Sequence, residues 1–71
     1  MIKYNVTSTT IVVEEEKYTS YGISCTDDGK EIARIEDISV EKEVVEETVN
    51  RFNDNKLDPE HFEDAVEDSI I

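Results

Sequence analysis

Hydrophobic and polar residues alternate at the start of the chain, which is the pattern of a β-strand. Ile2, Tyr4 and Val6 are separated by polar residues, and the β-branched segment 9–13 follows. A period of two and β-branched side chains both favour extended structure. We therefore expect residues 1–13 to form either one strand or a bent pair of strands.

A second strand is predicted after a short polar interruption. Residues 14–17 are polar enough to turn in solvent. The alternation then resumes over residues 18–26, with Tyr21, Ile23 and Cys25 on one face. We expect this face to point to the core.

The loop 27–29 leads into a third predicted strand over residues 31–36. Gly29 can adopt the left-handed conformation that closes a hairpin loop. A two-residue turn would place Ile23 opposite Arg34 and split the apolar face, whereas a three-residue loop keeps the apolar residues together. We therefore expect the three-residue loop and these cross-strand pairs: Ile23 with Ala33, and Tyr21 with Ile35.

A first helix is predicted after a cap at Asp37 or Ser39, and it should end near Asn53. Its core-facing residues recur at helical spacing: Val44, Val45, Thr48, Val49 and Phe52. Residues 53–57 tolerate the left-handed conformation that ends a helix, and we expect Leu57 to fill the gap between the two helices.

A second helix is predicted to start at Asp58, a good capping residue, with Pro59 in the first helical position. One side of this helix is suited to packing: Phe62, Ala65, Val66, Ser69 and Ile70. The other side carries like charges one turn apart, which repel, so tertiary packing must hold the helix. The five carboxylates of this side form the acidic surface, a candidate interaction surface: Glu60, Glu63, Asp64, Glu67 and Asp68.

The predicted element order is β-β-β-α-α in a single domain of residues 1–71. We expect an α+β fold: a three-stranded antiparallel meander with a C-terminal two-helix hairpin packed on one face. A chain of this length buries only about 60% of its unfolded surface. With one cysteine and one histidine, a single chain cannot be stabilised by a disulfide or by a bound metal. Small domains can instead be stabilised by association, so a homo-oligomer is an open option.

The net charge of the chain limits the classes of partner that it can bind. Nineteen acidic against seven basic residues give a net charge of −12, which opposes binding to nucleic acid and to anionic membrane surfaces. No segment approaches the roughly 20 apolar residues of a membrane span, and no signal peptide is recognisable. A single cysteine suits a reducing compartment, so we expect a cytoplasmic protein.

Candidate catalytic and metal-binding groups are few. His61 lies beside Glu60 on the first turn of the second helix, without a second histidine or a nucleophile, and a structural or surface role fits it better than catalysis. Cys25 lies on the core-facing side of its strand, where it behaves as a small apolar residue. The oxygen-rich loops 27–29 and 53–58 lack the spacing of a calcium-binding loop. We therefore expect no catalytic site, metal or cofactor.

Three tyrosines remain, at positions 4, 18 and 21. Aromatic residues on a strand usually pack in the core or across strands. A protein interface is the alternative for these three residues.

Several short segments resemble a family of short bacterial proteins known as a domain of unknown function. The resemblance rests on residues 18–23, residues 35–39, and the segment 58–62 followed by 66–68, and it spans most of the chain. It implies a small bacterial cytosolic protein. It implies no activity, cofactor or site residue.

A folded domain without recognisable chemistry favours a small acidic module that regulates or binds another protein, and not an enzyme. The contact would use the acidic surface or the uncovered face and edge of the sheet. Two alternatives are a self-associating structural protein, whose first strand has an exposed edge, and an acidic mimic of nucleic acid that binds a basic protein.

Overall fold

A computed structural model describes residues 1–69 and confirms the α+β order. The elements are β1 (Ile2–Val13), β2 (Glu16–Asp27), β3 (Lys30–Ser39), α1 (Lys42–Asp54), a 3-10 turn (Pro59–His61) and α2 (Phe62–Ser69). The strands form one antiparallel sheet in the order β1-β2-β3. Both edge positions are therefore taken by the first and last strands.

β1 is one continuous strand and not a bent pair. Its register with β2 is unbroken from Ile2 opposite Asp27 to Val13 opposite Glu16. The turn consists of two residues, Glu14 and Glu15, with φ values of 49° and 70°. Positive φ at both central positions is the hairpin geometry that matches the twist of the flanking strands.

The predicted register between β2 and β3 is wrong. The chain turns on two residues, Asp28 and Gly29, both with positive φ, and not on three. One extra residue of β3, Ile32, then lies between the pairs Thr26–Glu31 and Cys25–Ala33 without a partner in β2, and its side chain is 49% exposed. This bulge restores the apolar face that a two-residue turn would otherwise split. The resulting pairs are Cys25 with Ala33 and Ile23 with Ile35.

A second irregularity brings β3 close to β2 at Gly22. A Cβ atom at Gly22 would lie 2.3 Å from the carbonyl oxygen of Ile35, so only glycine fits there. Asp37 has a φ of 53°, and its carboxylate accepts a hydrogen bond of 2.5 Å from the Ser20 hydroxyl. Asp37 therefore fixes the irregular end of β3. The predicted alternative in which Asp37 caps α1 is wrong.

The ends of α1 depend on local hydrogen bonds. The Ser39 hydroxyl accepts a bond of 3.0 Å from the Glu41 amide just before the helix, and no side chain caps its first turn. At the other end Lys56 has a φ of 52°, and the Leu57 amide donates to the Phe52 carbonyl at 3.0 Å. This is the usual left-handed helix ending, formed here by a lysine and not by a neighbouring asparagine.

The second helix starts as predicted but opens with a 3-10 turn. The Asp58 carboxylate accepts a bond of 2.9 Å from the Glu60 amide, and Pro59 holds the first position. Ser69, at the end of the helix, follows the helical spacing of Phe62 and Val66 but is exposed, so the prediction that it packs is wrong. Ile70 lies outside the described residues.

The core lies between the sheet and the two helices. Its buried residues come from β1, β2, α1 and α2: Tyr4, Ile23, Cys25, Val45, Val49, Phe52, Phe62 and Val66. The rings of Tyr4, Phe52 and Phe62 join β1, α1 and α2, with centroid distances of 5.4 Å for Tyr4 and Phe52, 5.3 Å for Tyr4 and Phe62, and 6.4 Å for Phe52 and Phe62. Leu57 is half-buried against this cluster. The helices therefore cover one face of the sheet, over the part that contains Tyr4 of β1 and Ile23 and Cys25 of β2.

Candidate interaction surfaces

The outer edge of β1 is closed at one point by a side chain. The Tyr4 amide donates to Oδ1 of Asn53 at 2.8 Å, and Nδ2 of Asn53 donates to the Tyr4 carbonyl at 3.0 Å. The Asn53 amide therefore replaces the backbone of a neighbouring strand. The Tyr4 hydroxyl donates to the Leu57 carbonyl at 2.8 Å, which ties the same point to the loop after α1.

Beyond Tyr4 the same edge is open. Because the register with β2 is unbroken, every second residue after Tyr4 directs its amide and carbonyl outward. These residues are Val6, Ser8, Thr10 and Val12. Among residues 1–69, no other backbone group bonds to this part of the edge. We call residues 6–12 of β1 the open edge.

The end of the first hairpin projects from the body of the protein. β3 pairs with β2 only from Tyr21 onward, and the Ser20 hydroxyl still bonds to Asp37 of β3, so residues 10–19 form a two-stranded ribbon that we call the arm. Several apolar side chains of the arm are exposed: Val12 by 59%, Val13 by 50% and Tyr18 by 42%. The arm thus offers apolar surface outside the core.

The charge along the arm is uneven. Residues 4–13 contain no charged side chain, although 37% of the whole chain is charged. The tip then carries three consecutive glutamates, Glu14 to Glu16, followed by Lys17. The open edge is therefore neutral and ends at an acidic tip.

All five carboxylates of the acidic surface are exposed. They lie opposite Phe62 and Val66, which are buried in the core. The predicted division of this helix into a packing side and an acidic side is confirmed for these residues. Its use as an interaction surface stays a prediction.

The two candidate chemical residues lie apart. His61 is exposed at the end of the 3-10 turn, and Cys25 is fully buried. Burial raises the pKa of the Cys25 thiol, which opposes formation of a thiolate. A groove of about 770 Å³ lies between the start of β1 and the segment after α1, and neither His61 nor Tyr21 lines it.

Residues 1–69 contain neither a candidate metal site nor a helix that could span a membrane. No group of three or more histidine, cysteine, aspartate or glutamate side chains is placed to hold a metal ion in this part of the chain. Neither of its helices has the length and apolar character needed to cross a membrane.

Sequence reasoning missed Asn53 and the arm. The sequence predicts that α1 ends near Asn53, and no neighbouring residue indicates that its side chain contacts a residue 49 positions away. The arm did leave a signal, because residues 4–13 form an uncharged stretch in a highly charged chain. Whether this uncharged stretch lies inside the three-stranded sheet or on a projecting ribbon depends on where β3 stops pairing with β2, and only the structure shows that.

The sheet, the helical layer and the projecting arm define a small two-layer α+β protein. The model of a family described as a family of unknown function (DUF6514) matches residues 1–71, and the chain belongs to this family. The predicted membership of a family of unknown function of about this length is thereby confirmed. No curated protein and no solved structure matches the chain.

Proposed function

We propose that this protein is a small, acidic, non-catalytic module that binds or regulates another protein. The observation that carries the proposal is the arm, where Val12, Val13 and Tyr18 expose apolar surface on a projecting ribbon. Val13 and Tyr18 lie diagonally on one face of the arm and Val12 lies on the other face, and exposed apolar groups that lie together outside the core are typical of contact surfaces. The buried, protonated Cys25 and the isolated, exposed His61 support a role without catalysis.

The acidic surface is the second contact that we propose. Its carboxylates suit a basic protein partner, and an acidic mimic of nucleic acid is a specific form of this idea. The matching variant changes Glu60, Glu63, Asp64 and Glu67 to Gln. If this variant binds the same partner as tightly as the unchanged protein, the acidic surface has no role in binding.

Self-association is the alternative function, and the open edge favours it. An edge strand with unpaired backbone groups can pair with the same strand of a second molecule. Such pairing would make the protein a structural element and not an adaptor.

We also propose that the protein is bacterial and works in the cytoplasm. The support is the family resemblance and the lone Cys25, which is buried and unpaired. The net charge of −12 favours a protein partner over nucleic acid or a membrane surface.

A photo-crosslinking experiment in living cells tests the proposal. A photoreactive amino acid replaces Tyr18 on the arm, Glu63 on the acidic surface, or Asn50, which is exposed on α1 and serves as the control. We expect a defined adduct with another protein from position 18 or 63 and none from position 50. Adducts of the protein with itself alone would favour self-association, and equal yields from all three positions would contradict a specific contact surface.

A further inference from the structure

The two edge strands of the sheet, β1 and β3, differ in charge and in the regularity of their register. The register of β3 with β2 is interrupted twice. β3 also carries exposed charged residues along its length: Lys30, Glu31, Arg34 and Glu36. Charges and bulges are the devices that keep an edge from pairing with foreign strands. β1 has an unbroken register and no charge or proline between Tyr4 and Val13. One edge is protected and the other is left open.

From this contrast we propose that an extended segment of a partner protein, with lysine or arginine at its N-terminal end, adds to the open edge as a fourth, antiparallel strand. The proposal rests on the proposed interaction function and names its partner chemistry. Strand addition is a common mode of peptide recognition, in which main-chain hydrogen bonds supply affinity.

The ends of the open edge define the length of the added strand. Asn53 occupies the backbone of Tyr4, so pairing starts at Val6. The chain turns at Glu14, so pairing ends near Val12. At about 3.4 Å per residue, this edge accommodates a segment of roughly seven residues.

The acidic tip selects the charge of the end of the segment that lies beside it, and antiparallel pairing is the slightly more stable of the two directions. An antiparallel strand brings its N-terminal end to the glutamates at positions 14 to 16, where basic residues are attracted. A second copy of this chain fits less well. Two molecules of charge −12 repel, and symmetric pairing about Thr9 would bring Glu14 of one copy to Tyr4 of the other, whose backbone Asn53 already holds.

Two proline variants separate the open edge from the other side of the arm. Thr10 and Thr19 are exposed and lie directly opposite each other in the β1-β2 register. The alternation directs the Thr10 amide to the open edge and the Thr19 amide to the opposite edge. Proline at either position removes an outward amide and leaves the bonds between β1 and β2 in place. Thr19→Pro is therefore the matched control for Thr10→Pro.

The probe is a synthetic peptide of three lysines followed by alternating threonine and valine over seven residues, titrated by NMR at low salt. We expect shifts in the amides of Val6 to Val12, with roughly tenfold weaker binding for Thr10→Pro and unchanged binding for Thr19→Pro. A peptide with three glutamates in place of the lysines should also bind more weakly.

A second measurement leaves the protein unchanged, in case Thr10→Pro does not fold. The lysine peptide is methylated on its backbone nitrogens at the threonines or at the valines. Because an added strand uses only alternate amides, we expect one methylated peptide to bind and the other to fail. Binding by both or by neither would overturn the proposal.

Two further results would overturn it. One is equal peptide binding by Thr10→Pro and the unchanged protein. The other is a dimer in sedimentation that Thr10→Pro dissociates, which would assign the open edge to a second copy. If the lysine peptide fails while position 18 still crosslinks to another protein, strand addition is wrong and the interaction function stands.

Discussion

At the scale of single residues, Asn53 joins the helical layer to the edge of the sheet. Its side-chain amide makes two hydrogen bonds to the backbone of Tyr4, at 2.8 and 3.0 Å. Without this side chain, both backbone groups of Tyr4 would lose their partner in a partly buried place. Unsatisfied buried groups cost more than the net gain of an average hydrogen bond.

We expect Asn53→Ala to lower the free energy of unfolding by about 1–3 kcal/mol, since it leaves the Tyr4 backbone unpaired. Asn50→Ala is the matched control, because Asn50 is exposed on the same helix and its replacement should change stability by less than about 0.5 kcal/mol. Urea titrations of both variants measure the difference. Equal effects would mean that the Asn53 bonds do not stabilise the fold.

At the scale of elements, the arm should be the least stable part of the sheet. It has two strands where the rest of the sheet has three, and no helix covers it. Two-stranded ribbons are only marginally stable in water. Local opening of the arm therefore needs less energy than opening of the three-stranded part.

Hydrogen exchange tests this difference within one ladder. The amides of Ile11 and Tyr18 pair within the arm, and those of Asn5 and Ser24 pair in the three-stranded part. We expect the first pair to exchange at least roughly tenfold faster, because the arm opens locally. Equal protection of the two pairs would show that the arm opens only with the whole domain.

The elements were largely predictable from the sequence, and their registers were not. Alternation and helical spacing are local signals, so the five main elements appear in the predicted order. The bulge at Ile32 depends on packing of the apolar face against the helices, which no local pattern contains. The close approach at Gly22 is equally non-local. The acidic surface was predictable because helix periodicity alone places its residues.

At the scale of the whole molecule, the net charge opposes folding. Among residues 1–69, Arg34 is the one lysine or arginine side chain in an ion pair, with Glu31 at 2.7 Å and Glu36 at 3.3 Å. The excess carboxylates therefore repel one another in the compact state. Added salt should relieve this repulsion.

We expect Tm to rise when sodium chloride is increased from 0.1 to 1 M, since the screening length falls from about 10 Å to about 3 Å. Calorimetry measures the shift. The variant with Gln at positions 60, 63, 64 and 67 lacks four negative charges, so its Tm should rise less. A fall in Tm with salt would show that attractive ion pairs outweigh the repulsion.

The tip of the arm has a consequence for affinity. Glu14 and Glu15 both have left-handed backbones, which cost an L-residue roughly 1–2 kcal/mol each, whereas asparagine followed by glycine suits the same turn. The tip therefore lowers the fraction of molecules whose arm is ordered, without changing any group on the open edge. Strand addition as proposed requires an ordered arm, so the dissociation constant for the proposed partner increases as that fraction falls. Glu14 and Glu15 therefore act on the affinity in two opposite ways, because their strained backbones disfavour the ordered arm while their carboxylates attract the basic end of the proposed segment.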